Sequence, residues 1–213
     1  MKIRAVIFDL DGVIADSEPL SGEGTKMVLE RHGITMTDME RKEAIGRRLP
    51  DIFSDVLEVR GKKLSIEELM KERDRIFEGL VRKHLKAIPG SLELLQWLKD
   101  NGYRLALATS SHGSKMQLEV DHLGIGKFFD VVVCGDDVRK GKPDPEIFLK
   151  AAEKLGMKPE ECAVVEDSEF GVQAAKFAGM KAIAFDSPNT HNQDISGADA
   201  IIKDIGEVKE HLE

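Results

Sequence analysis

Arg4-Ala5-Val6-Ile7-Phe8-Asp9-Leu10-Asp11-Gly12-Val13-Ile14-Ala15-Asp16 decides how the rest of the chain is read. Ala5 to Phe8 is an unbroken apolar run rich in branched residues, the pattern of a strand buried on both faces. Asp9 and Asp11 follow at its carboxyl end, and Gly12 lets the backbone turn away sharply. In an extended chain residues i and i+2 point the same way, so the two acids converge on one small volume. Like charges that close repel each other, and such a pair calls for a cation, a proton or a shared substrate. Asp9-Leu10-Asp11-Gly12 also suits an ordinary turn that closes a strand, and this stretch alone leaves both readings open.

Further along, short apolar runs alternate with amphipathic ones. Strands are predicted at Tyr103–Ala108, Val131–Cys134, Cys162–Val165 and Ala182–Phe185, with Ala200–Ile202 as an edge strand before a short C-terminal helix. Helices are predicted at Ser91–Asn101, Lys115–Leu123, Pro145–Leu155 and Phe170–Ala178. Apolar strands joined by helix-length crossovers imply a parallel sheet covered on both faces. The fold class is therefore α/β, a Rossmann-like doubly wound parallel sheet whose sites lie at the carboxyl ends of the strands. Between Leu20 and His84 the language changes to apolar residues three and four apart, with charges on the other faces. Ser65-Ile66-Glu67-Glu68 reads as a capping box, and Gly33, Gly46 and Gly61 mark breaks. That segment reads as about four helices inserted into the main layer. The expected division is a core of residues 1–15 and 89–213 and an α-helical cap subdomain of residues 16–88, with Pro89-Gly90 returning the chain to the sheet. Hinges are expected near Ala15–Glu18 and His84–Gly90.

Composition excludes several classes of function. The 213 residues carry 31 Lys and Arg against 39 Asp and Glu, a net charge of −8, and the isoelectric point is near 5.4. That balance argues against nucleic acid or an anionic membrane as a general partner. An acidic chain that handles phosphate must gather positive charge locally, through a metal or a placed lysine. No run of eighteen apolar residues occurs, and the amino terminus lacks a signal-peptide pattern, so a cytoplasmic protein is expected, and a monomer because no large apolar patch is obvious. Cys134 and Cys162 are the two cysteines, and both sit in or beside strand-like runs. Buried free thiols are expected of them, since neither His nor further Cys stands at ligand spacing.

The residues that follow each strand are Asp9 and Asp11, then Thr109 and Ser110, then Glu166 and Asp167, with Lys142 in the loop after the third strand. Each has a bland reading. Thr109-Ser110-Ser111 suits a helix N-cap, Lys142 a solvated loop, and Glu166-Asp167-Ser168 a capping run. Together they are four acids, a hydroxyl cluster and a lysine from four strand ends of one sheet. That is the composition of a site for a hard divalent cation and a phosphoryl group.

Asp9-Leu10-Asp11-Gly12, Ala108-Thr109-Ser110, Gly141-Lys142-Pro143-Asp144-Pro145 and Val165-Glu166-Asp167-Ser168 resemble, in order, the four motifs of the haloacid dehalogenase superfamily. The run Glu166–Ala175 is similar to the branch that holds β-phosphoglucomutase and small sugar-phosphate phosphatases, and the resemblance spans the whole chain. It implies that Asp9 is the nucleophile and Asp11 the general acid and base. Thr109, Ser110 and Lys142 would hold the phosphoryl group. Mg2+ would be held by the Asp9 carboxylate, the Asp11 carbonyl and Asp167, with Glu166 directly or through water. Specificity would lie in the cap, where Glu18, Arg47 and Arg48 are the candidates. A phosphatase of a small phosphorylated sugar or polyol is expected. The mutase is the alternative, and it wants a histidine where Ser21 stands and a cap arginine where Leu49 stands. A catalytically silent phospho-ligand-binding module is the alternative of another class.

Overall fold

A computed structural model describes residues 2–44, 49–187 and 193–213. The chain divides into two compact units, Met1–Asp16 with Lys86–Glu213, and Ser17–Leu85.

The larger unit is built on a six-stranded sheet, all of its pairs parallel: β1 (Ala5–Phe8), β2 (Arg104–Ala108), β3 (Val131–Val133), β4 (Cys162–Glu166), β5 (Lys181–Phe185) and β6 (Ala200–Ile202). The strand order is β3-β2-β1-β4-β5-β6. From β1 the chain winds outward through β2 and β3, then restarts at β4 and winds the other way, so direction reverses between β1 and β4. A doubly wound sheet opens a crevice at that point, outside the carboxyl ends of the two strands. Every residue of β1 and β4 is buried, which explains the unbroken apolar runs Ala5–Phe8 and Cys162–Val165.

Alternation along the strands divides the core. Ala5 and Ile7 pack in one cluster with Ile147, Phe148 and Ala151 of α7 (Glu146–Leu155) and Val172 and Ala175 of α8 (Glu169–Phe177). Val6 and Phe8 point to the opposite face, the side on which α5 (Ser91–Asp100) buries Leu94, Leu95 and Leu98. The chain leaves and re-enters this unit through two adjacent segments. Asp16 donates its amide to Lys86 O at 3.0 Å and Ile88 donates to Ile14 O at 2.7 Å.

Two expectations are corrected here. Glu166 is the last residue of β4, in register with Ala184, and not a loop residue beyond the strand. The C-terminal segment is a 3-10 run, Ile205–His211, tightened from its start because the Asp204 carboxylate accepts Gly206 N–H at 2.7 Å.

The smaller unit contains α1 (Glu18–Arg31), α2 (Asp38–Ala44), α3 (Leu49–Val59) and α4 (Ile66–His84). Val28, Leu29, Ile52, Phe53, Val56, Leu69 and Ile76 meet in its core, as their helical spacing requires. Ser65 caps α4 by accepting Glu68 N–H.

A reciprocal capping box opens α2. Thr37 Oγ1 accepts Glu40 N–H at 3.2 Å, and Glu40 Oε2 accepts Thr37 N–H at 2.7 Å. Arg60 adds two 2.7 Å bonds to the same carboxylate and one of 2.9 Å to Thr35 O. The Arg60 fork and then the Thr37 amide hold the Glu40 carboxyl down at about 2, from an ordinary 4.5. A depressed carboxyl contributes stability that is present above its unfolded pKa and lost as pH falls through its folded one. Glu40→Gln is therefore expected to melt below the unsubstituted protein near neutrality, with the gap closing between pH 4.5 and 2. Thermal melts across that range test this, and a gap independent of pH would contradict it.

Candidate active site

The carboxyl ends of β1 and β4 place Asp9 beside Glu166, and Lys142 arrives between them from the loop after β3. Its Nζ lies 2.5 Å from Asp9 Oδ1 and 2.5 Å from Glu166 Oε1. The side chains are nearly sealed, with 7% of Lys142, 9% of Asp9 and 2% of Glu166 exposed. The ring of Phe148 on α7 lies under the ammonium, 5.0 Å from Nζ. One cation shared by two buried carboxylates is held by geometry as much as by charge, since each partner desolvated alone would be costly.

The other oxygen of Glu166 belongs to the loop that follows. Oε2 accepts Asp167 N–H at 2.9 Å, Ser168 N–H at 2.8 Å and Ser168 Oγ–H at 2.8 Å. Ser168 in turn caps α8 by accepting Gly171 N–H at 3.1 Å. Glycine is required at 171 because a β-carbon there would overlap the Glu166 carboxylate. Glu166 was expected to help hold a cation. Both of its oxygens also accept from protein donors, so it anchors Lys142 and shapes the loop that carries Asp167.

Gly12 performs a similar service for Asp167. Its φ of +75° is the left-handed conformation that glycine adopts without strain, and a β-carbon would fall on the Asp167 carboxylate. Asp167 thus lies directly against the Asp9–Gly12 loop.

Asp11 points to a different set of partners. Ser111 Oγ donates to Asp11 Oδ2 at 2.8 Å, and Lys115 Nζ donates to Asp11 Oδ1 at 2.8 Å. Lys115 also lies 3.1 Å from Ser111 Oγ and 3.8 Å from the Glu119 carboxylate, which is fully buried one turn further along α6 (Gly113–Leu123). Sequence reasoning missed Ser111, Lys115 and Glu119 as a unit. The available signal is their four-residue spacing directly after the hydroxyl cluster, which puts them on one side of a helix that starts there. Thr109 is buried, and its hydroxyl accepts Ser111 N–H at 3.1 Å, while Ser110 is exposed beside it.

Electrostatics follow from this packing. Burial pushes the Asp9 carboxyl up from 3.8 to about 7; Lys142 opposes the rise, and Glu166 and Asp11 add to it. Burial also disfavours the Lys142 charge, but Asp9 and Glu166 outweigh it and hold the ammonium above its ordinary value. Four carboxylates (Asp9, Asp11, Glu166 and Asp167) face two ammonium groups (Lys142 and Lys115), which leaves excess negative charge at the crevice. Hard oxygen donors with surplus negative charge suit Mg2+. Among the described residues no group of three acid, His or Cys side chains could hold a metal. A cation here would take the Asp9 and Asp167 carboxylates and complete its shell from the Asp11 carbonyl, water and substrate oxygens.

The cysteines are free and buried, and burial pushes the Cys162 thiol up to about 11, away from nucleophilic use. Glu18 opens α1 in the smaller unit, where it lines a cavity of about 570 Å3 with Ser21, Lys26, Arg41 and Ile52. Arg47 and Arg48 lie outside the described residues.

This arrangement of strand ends agrees with the sequence comparisons. The family model for haloacid dehalogenase-like hydrolases matches residues 6–185. The chain belongs to that family. Within the haloacid dehalogenase-like hydrolases it is a phosphomonoesterase-type enzyme, similar to a phosphorylated carbohydrates phosphatase of Thermotoga maritima. The two are 39% identical over 188 residues, covering 85% of this chain and 84% of the relative. A β-phosphoglucomutase of Bacillus subtilis is 34% identical over 215 residues, covering 97% and 92%. The crystal structure of CbbY from Rhodobacter sphaeroides, in complex with phosphate, superimposes with a TM-score of 0.82 at 27% identity, covering 97% and 96%. Among the described residues no helix is long and apolar enough to cross a membrane.

Proposed function

We propose that this hydrolase is a Mg2+-dependent phosphatase of a small sugar or polyol phosphate that works through an aspartyl-phosphate on Asp9. The observation that carries the proposal is the buried Asp9 carboxylate at the carboxyl end of the central strand, gripped on Oδ1 by Lys142. That contact aims the side chain and leaves Oδ2 to attack. Asp9 attacks phosphorus in line, a P–O bond to Asp9 forms, and the ester P–O bond breaks. Asp11 gives a proton to the departing alcohol oxygen. Asp11, now a carboxylate, takes a proton from the water that attacks the aspartyl-phosphate, and inorganic phosphate leaves. Thr109 and the Ser110 amide are donors for the phosphoryl oxygens, and Lys142 offsets the charge that gathers there. Mg2+, when bound through Asp9, Asp167 and the Asp11 carbonyl, supplies Lewis-acid neutralisation of the phosphoryl oxygens.

The mutase named among the relatives is the second reading. Against it stands Ser21, where the mutase wants an imidazole; its hydroxyl accepts a 2.6 Å bond from the buried Arg73 within the helical unit. Phosphate release from a panel of small phosphomonoesters, with and without EDTA, tests the proposal alongside conversion of β-glucose 1-phosphate to glucose 6-phosphate. Release from sugar phosphates that EDTA abolishes and Mg2+ restores is the expected result. Isomerisation without phosphate loss would establish the mutase, and Mg2+ binding without either activity the silent binding module. Asp167→Asn is expected to raise the Mg2+ requirement about 10–100-fold, the usual size of effect for weakened metal support. An unchanged requirement removes Asp167 from the ligand set.

A further inference from the structure

We propose that Lys115 and Glu119 form a positioning unit for Asp11, a device on α6 that aims the general acid at the leaving-group oxygen. The proposal rests on the reading of Asp11 as the proton donor. Asp11 needs an aim because it follows a strand by three residues, on a loop that turns at Gly12, where a carboxylate has several rotamers within reach. The structure constrains both of its oxygens, Oδ2 by Ser111 in the loop before α6 and Oδ1 by Lys115 on α6, each at 2.8 Å.

Lys115 is itself supported. Its side chain is 27% exposed, and a lysine with that much access to water would ordinarily sample many positions. Glu119 stands behind it on the same helix face, 3.8 Å from Nζ and with 0% of its side chain exposed. A carboxylate is seldom buried to that degree without a charged neighbour. Here Lys115, which also reaches Asp11, is a charged neighbour. The chain of contacts therefore runs from the buried Glu119 through Lys115 to the carboxylate that moves the proton. Asp9 is held by a different lysine, Lys142, so the nucleophile and the acid each have a cation of their own in contact.

Separate aiming gives a signature that a merely structural role would lack. The value of kcat/KM reports steps up to departure of the alcohol, and a poor leaving group needs the proton at that moment. A nitrophenolate does not. Lys115→Met is expected to lower kcat/KM for glycerol phosphate or another alkyl phosphate roughly 10–100-fold, the cost of a misplaced catalytic group. For p-nitrophenyl phosphate the loss should stay within about threefold. Lys115→Arg should recover most of the alkyl activity by restoring a cation. Glu119→Gln should show the same leaving-group bias at smaller size and add little in the double variant, because both act through one contact.

Asp11→Asn, run in parallel, separates this proposal from the reading beneath it. If Asp11→Asn shows the leaving-group bias and Lys115→Met does not, the positioning role falls and Asp11 stands. If Asp11→Asn shows no bias, the proton-donor reading itself falls. A uniform loss on both substrates in Lys115→Met, with no recovery by Lys115→Arg, overturns the proposal in favour of general support of the loop. Additive losses in the double variant remove Glu119 from the unit. Ser111→Ala, which deletes the other bond to Asp11 and the hydroxyl that Lys115 also touches, gives a second reading of the same bias where Lys115→Met is poorly folded.

Discussion

Asp9→Asn loses turnover by at least about 10⁴-fold while the protein keeps its fold, the scale of loss when a nucleophile that works as part of a unit is removed. The chemistry demands the loss, because an amide cannot form the acyl-phosphate. The fold survives for a local reason. Burial already brings the Asp9 carboxyl up to about 7, so the site disfavours its charge. A neutral side chain of the same shape therefore forfeits little. The Asn carbonyl can still accept from Lys142, and Glu166 keeps its own 2.5 Å contact with the ammonium. Phosphate release and a thermal melt measured on one preparation check both halves. Activity within about tenfold of the unsubstituted protein would exclude Asp9 as the nucleophile.

Lys142→Met has the opposite balance, with losses in both activity and stability. The methionine fills the same slot over Phe148 but leaves Asp9 and Glu166 buried and facing each other without a cation. Removing one partner of a buried ionic cluster costs about 3–5 kcal/mol, which for a chain of this length is roughly 6–20 °C in melting temperature. The deficit should depend on pH. Without the ammonium nothing offsets the burial that raises the Asp9 carboxyl, which then titrates still further above its value in the unfolded chain. A raised carboxyl loses its stability contribution as pH rises through the folded pKa, so the deficit is largest above neutrality and shrinks on acidification. Melting curves from about pH 8 to about pH 5 test the sign. A pH-independent deficit would show that Lys142 matters for packing and not for charge.

The parts of this site legible in the sequence are those set by one segment at a time. Ala5–Phe8 is apolar because β1 is covered on both faces, and Asp9 and Asp11 must then emerge at its carboxyl end. The same logic finds Thr109 after β2 and Asp167 after β4. What the sequence hides depends on distant partners. Glu166 reads as a loop acid, yet pairing with β5 draws it into the strand and delivers it to Lys142. Helix α6 begins at Gly113, earlier than its apolar spacing indicates, because the Asp136 carboxylate reaches in from after β3 to take Gly113 N–H at 2.8 Å. That early start carries Lys115 round to Asp11. The inserted helices show the same limit. Their apolar stripes fix a helical unit with its own core, but not which of Glu18, Lys26 and Arg41 share a cavity, since side-chain spacing does not set the angle between helices.

The proposed chemistry requires a covalent bond to Asp9, and trapping that bond is the most direct test. Enzyme turning over a sugar phosphate in Mg2+ would be quenched with borohydride, which reduces an acyl-phosphate to the alcohol, and its peptides mapped by mass spectrometry. Conversion of Asp9 to homoserine, dependent on both substrate and Mg2+ and absent from Asp9→Asn, is the predicted result. A protein that releases phosphate at full rate with Asp9 unmodified, or with the label on another side chain, would contradict it.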